Sequence, residues 1–319
     1  MAVRRTWRWQ RPWRRRGGLT VSAAVLVALL ILGHRLVPNR IGRLGSLLET
    51  FLPWLGLAVP ALLLCALVRR SRGAALAVLI PATAWALAFG PLLIPHRPQA
   101  GGTLTVVQHN VSDQNRDPGG TARALAGARP DLIALEELTP AALPAYQAVL
   151  AADFPHHAVF GSVGLWSRFP LTEARALDLR PAGLTDPRWQ RGLRATARTP
   201  DGALAVYVAH LPSIRFGFAG LGSARRDESA RILAAALRAE PIHEVVLMGD
   251  LNGTLDDRGL RPLTSRLTPA RSGFDFSWPT SAPLARIDQV LSRGLRALST
   301  STLPATGSDH LPVTARLTR

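Results

Sequence analysis

The sequence predicts an α/β domain built on two β-sheets and preceded by three transmembrane helices. Three observations lead to this fold class. The first 98 residues hold three long apolar stretches, and the remainder alternates short apolar runs with amphipathic helical segments. Several of the short runs are followed by polar motifs, as happens where buried strands end at a cleft. The chain therefore divides into a membrane part, residues 1–98, and a globular part, residues 99–319.

Charge is distributed unevenly between these two parts. Residues 1–98 contain 14 Arg and one acid, a net charge of +13, whereas residues 99–319 contain 24 Arg and 20 acids, a net charge of +4. Most of the total charge of +17 belongs to the membrane part, so the globular part is not marked as a binder of nucleic acid. The chain has no Lys and one Cys, Cys65, which excludes Lys nucleophiles, P-loop chemistry, disulfides and Cys-based zinc sites.

The three apolar stretches cover residues 19–37, 47–68 and 74–94. Each approaches or reaches the roughly 20 residues that cross a hydrocarbon core. The first stretch has an alternative as a cleavable signal peptide, but no small-x-small cleavage site follows it and two more stretches do. Glu49, near the outer start of the second stretch, is expected to be a snorkelling residue at the membrane edge.

The flanking arginines predict the orientation. The arm before the first stretch carries seven Arg and the loop between the second and third carries three, against four on the opposite side. The positive-inside rule then puts the N-terminus in the cytoplasm and, after three crossings, residues 99–319 outside the cell membrane. Trp7, Trp9 and Trp13 in the arm fit an interfacial anchor. Residues 96–102 form a short linker containing Pro and Gly, which keeps the globular domain near the lipid surface.

Strands and helices alternate in the globular part. Strands are predicted near 103–110, 131–136, 163–168, 203–210, 244–249, 286–292 and 311–317, and helices over 119–128 and 224–239. The second helix follows Ser223 and carries Asp227 and Glu228 in its first turns, where acids complement the helix dipole. Strands with helices on their outer faces favour a two-sheet α/β sandwich.

Five polar motifs, in fixed order, end or follow apolar runs of this domain. They are Asn110 after TLTVVQH, Glu137 closing DLIALEE, His210 closing ALAVYVAH, Asp250-Leu251-Asn252 after EVVLMG, and Ser308-Asp309-His310 near the C-terminus. Buried strands that end together bring such groups into one cleft, so the set predicts an active site. A lone Asp-Leu-Asn-Gly is also an ordinary turn, and a lone His at a strand end is more often structural. The ordered set is therefore what indicates function.

The set resembles the endonuclease/exonuclease/phosphatase superfamily of magnesium-dependent phosphoesterases, over roughly residues 102–319. That family pattern is an early Asn, a Q-E or E-E, a G-D-x-N, an I-D and a terminal S-D-H, and Ile287-Asp288 supplies the I-D here. The resemblance implies a four-layer α-β-β-α sandwich. It also implies a hydrolase of phosphoester or pyrophosphate bonds that depends on Mg²⁺, with Mn²⁺ as an alternative.

The resemblance implies a metal site as well. Glu137 is the leading ligand, with Asn110 and Asp309 contributing directly or through water. Hard carboxylate and amide oxygens suit Mg²⁺, which takes only one or two protein carboxylates. Glu136 is the ligand if the adjacent pair is reversed, because successive strand residues face opposite sides.

The remaining motif residues carry implied catalytic roles. Asp288 and His310 would form a dyad in which the carboxylate orients the imidazole and lets it take a proton from water. By match to the family, Asp250 aligns the nucleophile, Asn252 orients the phosphate and His210 donates a hydrogen bond to a phosphoryl oxygen.

Two further segments stay open at the level of sequence. Arg188, Trp189, Arg191 and Arg194 lie before or at the start of a strand, and such a cluster either binds phosphate beside a lipid or base or is a solvated rim. The segment 214–218, Ile-Arg-Phe-Gly-Phe, either contacts membrane or substrate or has no such role.

Three Arg-flanked spans followed by an exported domain resemble the actinobacterial VanJ-type glycopeptide (teicoplanin) resistance proteins. This implies a phosphatase of undecaprenyl pyrophosphate, the polyprenyl carrier of cell-wall synthesis, with the lipid bilayer and a phosphorylated lipid as partners. One alternative is a membrane-tethered exported nuclease, disfavoured by the low domain charge. Another is a sphingomyelinase-like lipid phosphodiesterase, for which only residues 216–218 offer an apolar insertion loop. A non-catalytic binding module is opposed by the complete motif set.

Overall fold

The computed structural model describes residues 17–94, 104–217 and 220–319. The basic arm with its three tryptophans, the linker predicted over 96–102, and Phe218 lie outside the described residues. The chain forms two compact units: one comprises the described residues up to Leu36 together with Leu52–Pro91, and the other comprises Val37–Phe51 together with Leu92–Arg319. Residues 37–51 therefore belong with the globular part, although residues 47–51 begin the second apolar stretch of the sequence.

The first unit is helical. Its α-helices are α1 (Gly18–Gly33), α3 (Ala58–Val68), α4 (Arg72–Ala77) and α5 (Leu79–Phe89). The helical stretches Gly18–Leu36 and Arg72–Leu93 are each long and apolar enough to cross a membrane.

The second predicted span differs from its expected form. The helices Leu44–Thr50 (α2) and Leu52–Val68 qualify as a span only together, and they are bent by 70° at their junction. Pro53 lies just after the bend, and its missing N–H prevents a continuous α-helix. Within the described residues, two helices are long and apolar enough to span a membrane, or three if the bent pair counts as one span. Glu49, expected at the membrane edge, is in α2 with its side chain only 1% exposed against Arg258.

The second unit contains two six-stranded sheets, ordered β13-β14-β1-β2-β4-β3 and β11-β12-β10-β7-β6-β5, and a separate β8-β9 pair. The strands are β1 (Leu104–Asn110), β2 (Leu132–Glu136), β3 (His156–Phe160), β4 (Val163–Ser167), β5 (Leu171–Ala176), β6 (Gly192–Thr199), β7 (Gly202–Ala209), β8 (Phe216–Gly217), β9 (Gly220–Leu221), β10 (Val245–Asp250), β11 (Thr268–Pro269), β12 (Asp288–Arg293), β13 (Arg296–Thr302) and β14 (Val313–Thr318). Besides α2, the α-helices are α6 (Pro118–Gly127), α7 (Leu143–Leu150), α8 (Ala224–Ala239) and α9 (Arg261–Thr264).

Three apolar clusters show that the sheets and helices form four layers. Val106 of β1 packs between the two sheets with residues such as Val206 and Met248, and the next residue, Val107, packs on the opposite face against α6 and α7. This alternation is the two-residue period of a strand buried on both faces. The outer face of the second sheet is covered by α8 and α9. The predicted α/β sandwich with two sheets is confirmed.

All seven predicted strands overlap observed strands, and the helix over 224–239 has the expected bounds. The sequence reading missed β3, β5, β13 and the two-residue strands β8, β9 and β11, and it anticipated β6 only as the strand next to Arg194. In β6 the sequence GLRATART carries two arginines, which is unusual for a buried strand. Arg194 in this strand is nevertheless only 4% exposed, because Glu240 satisfies its guanidinium from a position 46 residues away.

Candidate active site

The site residues lie where strands of both sheets end. β1 ends at Asn110, which is paired in register with Glu136 at the end of β2. In the second sheet, Asp250 ends β10 and is the register partner of Asp288, the first residue of β12. Because β1 and β2 are parallel, their carboxyl ends share one edge of the first sheet. Buried strands thereby carry polar side chains from distant parts of the sequence to one place.

His310 and Asp288 form a hydrogen-bonded dyad. The Nδ1 atom of His310 is 2.9 Å from Oδ2 of Asp288. Asp288 is fully buried and also accepts hydrogen bonds from the Ser277 hydroxyl (2.6 Å) and the Gln108 amide (3.0 Å). Burial alone would raise the pKa of Asp288, but His310 and these two donors together lower it. The carboxylate is therefore held in its charged form, which fixes the orientation of the imidazole.

The His310 ring holds its proton strongly. Burial alone would lower its pKa, but Asp288, then Asp250 and Asp309, raise the pKa of His310 to about 10. Ser308 fixes the backbone here, since its hydroxyl donates to the Asn110 carbonyl (2.7 Å) and accepts from the His310 N–H (3.0 Å). These carboxylates favour the charged imidazolium, a form in which His310 can donate a proton but can accept one only after losing its own.

Asp250 is the carboxylate shared by several motif residues. Its Oδ2 accepts a hydrogen bond from the Asn110 amide at 3.1 Å, and its Oδ1 accepts the backbone N–H of Asn252 at 2.9 Å. The Nε2 atoms of His310 and His210 lie 3.9 and 3.7 Å from Oδ2. Burial raises the pKa of Asp250 to about 7. A carboxylate with this pKa is suited to exchange a proton near neutral pH.

His210 and Arg191 form the other wall of the site. Nε2 of His210 is 3.7 Å from Oε1 of Glu137, and Arg191 Nη1 lies 3.4 Å from the His210 ring nitrogens. Burial and then Arg191 lower the pKa of His210 to about 3, so the ring is neutral. A neutral imidazole keeps one N–H, which allows the predicted hydrogen bond to a phosphoryl oxygen.

The structure distinguishes the two adjacent glutamates. Glu136 is fully buried and accepts from the Gln108 amide at 2.7 Å, and burial raises its pKa well above the ordinary value. Glu137 has a left-handed backbone (φ 60°) and a side chain that is 30% exposed. The turn at Glu137 aims its carboxylate toward His210, whereas Glu136 is enclosed between the strands.

The donor set fits a hard divalent cation. Asp250, Asp288 and His310 each offer a ligand atom within 4.8 Å of the others, but the last two are engaged with each other in the dyad. Glu137 presents a partly exposed carboxylate, and among the described residues the basic side chain within 4 Å of it is that of His210, which is neutral. Mg²⁺ is typically bound by one or two carboxylates together with water, and this partly buried cleft offers such carboxylates.

Asp309 is placed differently from the other predicted ligands. Its side chain is exposed, and its backbone carbonyl accepts from Thr280 N–H at 2.8 Å. Its carboxylate is close enough to contribute to the raised pKa of His310. Any contact of Asp309 with a metal is thus made from the rim of the site.

Gln108 and Ser277 are site residues that the sequence reading missed. The Gln108 amide bridges Glu136 and Asp288, and the Ser277 hydroxyl binds Asp288. Gln108 is two residues before Asn110 in the same strand, so the two-residue period could have identified it as facing the same way. Ser277 lies in an irregular segment with no such pattern.

The arginine cluster separates into three environments. Arg194 is buried and forms a bidentate pair with Glu240, and Arg188 is exposed beside Asp186. Only Arg191 reaches the site, with its guanidinium also 5.3 Å from the Trp189 ring centre. The rim interpretation therefore describes Arg188, and the phosphate-binding interpretation can apply only to Arg191.

The endonuclease/exonuclease/phosphatase family model matches residues 107–310, and the chain belongs to this family of phosphoester hydrolases. The match spans every motif from Asn110 to His310. A comparison with curated protein sequences gave no match.

Several solved structures share the fold at low sequence identity. TDP2 of Danio rerio in complex with a single-strand DNA product is 17% identical, with 69% of this chain and 100% of that chain covered and a TM-score of 0.57. The beta toxin of Staphylococcus aureus is 13% identical over 66% and 99% of the two chains, with a TM-score of 0.55. Sphingomyelinase C of Streptomyces griseocarneus is 19% identical over 68% and 99%, with a TM-score of 0.52.

Proposed function

We propose that this protein is a metal-dependent phosphatase of a polyprenyl pyrophosphate, namely undecaprenyl pyrophosphate, at the outer face of the cytoplasmic membrane. Its role would lie in cell-envelope metabolism or glycopeptide resistance. The observation that carries the chemical part is the buried His310–Asp288 pair at 2.9 Å beside Asp250. Family membership supports phosphoester hydrolysis, and the apolar helices support a lipid substrate.

The metal would be held by Glu137 and Asn110, with Asp309 acting directly or through water. A bound Mg²⁺ or Mn²⁺ would supply charge stabilisation to the phosphoryl oxygens. One carboxylate with an amide oxygen and waters is an ordinary Mg²⁺ environment. Asn110 Oδ1 accepts a backbone hydrogen bond from Ser112 at 3.0 Å, which orients its oxygen and leaves a second lone pair for a ligand.

Protons would move between Asp250, water and His310. Asp250, with a pKa of about 7, is suited to accept a proton from the attacking water. Protonated His310, held by Asp288, is suited to donate to the departing oxygen. In this proposal His310 donates a proton, whereas the role expected from sequence is to accept one from water; the three carboxylates around the ring favour the charged form.

Arg191 would bind the phosphate that is not being attacked. Among the described residues, no carboxylate forms an ion pair with its guanidinium within 4 Å; burial lowers the pKa of Arg191, while the more distant Glu137 and Asp250 raise it. A guanidinium in this position matches the paired oxygens of a phosphoryl group. Trp189 lies against the same guanidinium and adds an apolar surface beside it.

The proposed topology has support from residues 37–51, which belong to the compact unit of the catalytic residues. Because they form one compact unit, residues 37–51 and the catalytic domain must lie on the same side of the membrane. The helices Leu52–Val68 and Arg72–Leu93 lie between them in the chain and would supply the two crossings. Arg72–Leu93 is long and apolar enough by itself, whereas Leu52–Val68 qualifies as a span only together with Leu44–Thr50. The helix Gly18–Leu36 then puts the N-terminus on the other side, in the cytoplasm by the arginine count.

The substrate is tested with the full-length protein in detergent. Phosphate release from undecaprenyl pyrophosphate is measured with Mg²⁺ or chelator, for the wild type, His310→Ala and His243→Ala, whose exposed ring makes it a matched control. Plasmid DNA and sphingomyelin are run in parallel. We expect lipid turnover that requires metal and His310 and is unchanged in the control. Cleavage of DNA or sphingomyelin without release from the pyrophosphate would overturn the proposal in favour of a tethered nuclease or a lipid phosphodiesterase.

The topology is tested by thiol labelling of intact cells. In a Cys65→Ser background, a single Cys replaces Arg40 or Arg72, both of which are exposed. A membrane-impermeant reagent is expected to label position 40 and not position 72. The opposite pattern would place the catalytic domain inside the cell.

A further inference from the structure

The segment Val37–Phe51, here called the docking segment, is bound by a buried charge pair. The Glu49 carboxylate accepts from Arg258 Nε at 2.8 Å, Arg258 Nη2 at 2.9 Å and the Arg258 backbone N–H at 2.9 Å. The Glu49 side chain is 1% exposed and that of Arg258 is 21% exposed. A bidentate pair with a third hydrogen bond offsets the desolvation of a buried carboxylate. This contact is therefore specific rather than incidental.

Backbone contacts of the docking segment are equally close. The Val37 carbonyl accepts from Arg258 Nη1 at 2.7 Å, and the Gly42 carbonyl accepts from the Leu221 N–H at 3.0 Å. A Cβ atom on Gly45 would come within 2.5 Å of the Arg258 guanidinium carbon and 2.6 Å of the Val37 carbonyl oxygen. There is no room at this position for a larger residue. The docking segment is fitted to the domain at the level of main-chain atoms.

A line of hydrogen bonds leads from the docking segment to the active site. Arg43 Nη1 is 3.2 Å from Asp227 Oδ2, and the other oxygen of Asp227 accepts from Arg226 Nε at 2.9 Å. Arg226 Nη1 then donates to the Asn252 carbonyl at 2.8 Å. Asn252 has a left-handed backbone, with φ 47°, and lies two residues after Asp250. The backbone conformation of Asn252 thus depends on the Arg226 guanidinium, which shares its partner Asp227 with Arg43.

Arg226, in α8, is enclosed by the loop of residues 251–260. Its side chain is fully buried and pairs with Asp257 as well as Asp227. A Cβ on Gly253 would lie 2.0 Å from Arg226 Nη1, and one on Gly259 would lie 2.2 Å from Asp227 Oδ1. The loop closes around the guanidinium so tightly that only glycine fits at both positions. A change in the position of Arg226 must therefore move the loop.

From these contacts we infer that the docking segment is a positioning element of the catalytic site: it holds the 251–260 loop, and through Arg226 it sets the position of Asn252. Residues 99–319 alone would lack this support, because Asp227 loses one cation and Arg258 loses its carboxylate. The site would then be complete only when the region between the first two apolar stretches is docked. The inference uses the proposed hydrolytic activity as one readout, but its structural part does not depend on the substrate.

The test uses the full-length protein in detergent. Arg43→Gln and Gly45→Val disturb docking, Arg43→Lys restores a cation opposite Asp227, and Arg40→Gln is a matched control because Arg40 is exposed in the same segment. Hydrogen exchange of the 251–260 loop is measured without substrate, and kcat and KM are measured with metal on undecaprenyl pyrophosphate and on bis(p-nitrophenyl) phosphate. The exchange readout remains informative if neither compound is a substrate.

Arg43→Gln and Gly45→Val are expected to speed exchange in the 251–260 loop about tenfold, with the two sheets unchanged. They should lower kcat about tenfold with a smaller change in KM, since misplacement of a catalytic group by a fraction of an ångström has effects of this size. Arg43→Lys should recover most of both, and Arg40→Gln should match the wild type. Loop exchange that is unchanged in Gly45→Val would overturn the inference, and so would faster exchange with normal kcat. Faster loop exchange without lipid turnover in any variant would support the inference and reject the proposed substrate.

Discussion

Replacing Asp288 with Asn is the most direct perturbation of the dyad. The substitution keeps the shape of the side chain and removes its charge. Asp288 now accepts three hydrogen bonds, from His310, Ser277 and Gln108. An asparagine would present an amide NH₂ on one side, so at least one N–H would face another donor. Loss of this match costs about 1–3 kcal/mol of stability, which leaves a domain of ordinary stability folded at 25 °C.

The expected effect on catalysis is much larger than the effect on stability. Asp288 is the main group that raises the pKa of His310, so its neutralisation lowers that pKa and leaves the imidazole free to turn or change tautomer. Losing an oriented acid or base lowers kcat by about 10² to 10⁴. At about 1.4 kcal/mol for each tenfold change, this is about 3–5 kcal/mol of transition-state stabilisation.

The assay compares kcat for Asp288→Asn, His310→Ala and the double variant, with thermal unfolding recorded for each. If the two residues act as one unit, the double variant should be no slower than His310→Ala alone. NMR titration of the labelled His310 ring should show a lower pKa in Asp288→Asn. The reasoning is refuted if Asp288→Asn keeps more than about a third of the wild-type kcat, or if the effects of the two substitutions multiply.

Three further predictions concern residues around and away from the cleft. Arg191→Gln should raise KM for a pyrophosphate about tenfold or more, as expected for a lost charge-assisted contact, whereas Arg188→Gln should not change it in the same steady-state assay. Glu240→Gln should lower the free energy of unfolding by about 2–4 kcal/mol, measured by urea denaturation, because it breaks the buried pair with Arg194; Glu173→Gln, at the exposed end of the same guanidinium, should leave the midpoint nearly unchanged. Burial alone would raise the pKa of Glu240, but its hydrogen-bond donors lower it below the ordinary value of 4.5, so the stability it contributes is present above pH 4.5 and is lost as pH falls through the folded pKa. In urea denaturation below pH 4.5, the difference in free energy of unfolding between wild type and Glu240→Gln should therefore shrink, and a difference that grew would contradict this assignment.

Regular strands and their polar ends were predictable from the sequence. β10 is an apolar run that ends in Asp250, and β1 is a β-branched and apolar segment that ends in Asn110; such strands can be recognised without knowing their neighbours. Strands with buried charge were not predictable in this way. The sequence of β6 contains charged residues typical of an exposed segment. Its burial depends on the pairing of Arg194 with Glu240, which in turn depends on the packing of α8 against the second sheet.

The protonation of the site was also outside the reach of the sequence. Asp288 and His310 are identifiable as a pair by their motifs, but the direction of proton transfer depends on how many carboxylates surround the ring and how deeply they are buried. Which of Glu136 and Glu137 faces the cleft is likewise decided by the tertiary structure. It depends on the turn after β2, where Glu137 has a positive φ and Glu136 bonds Gln108.

By itself, the sequence determined the family, the two-sheet fold and the set of residues that gather at the strand ends, because these follow from local periodicity and from motifs in fixed order. Only the tertiary structure decided the position of residues 37–51. The sequence predicts residues 47–51 as the start of the second membrane span, with Glu49 at the membrane edge. A buried carboxylate is stable only beside a partner, and the partner, Arg258, is 209 residues further along the chain.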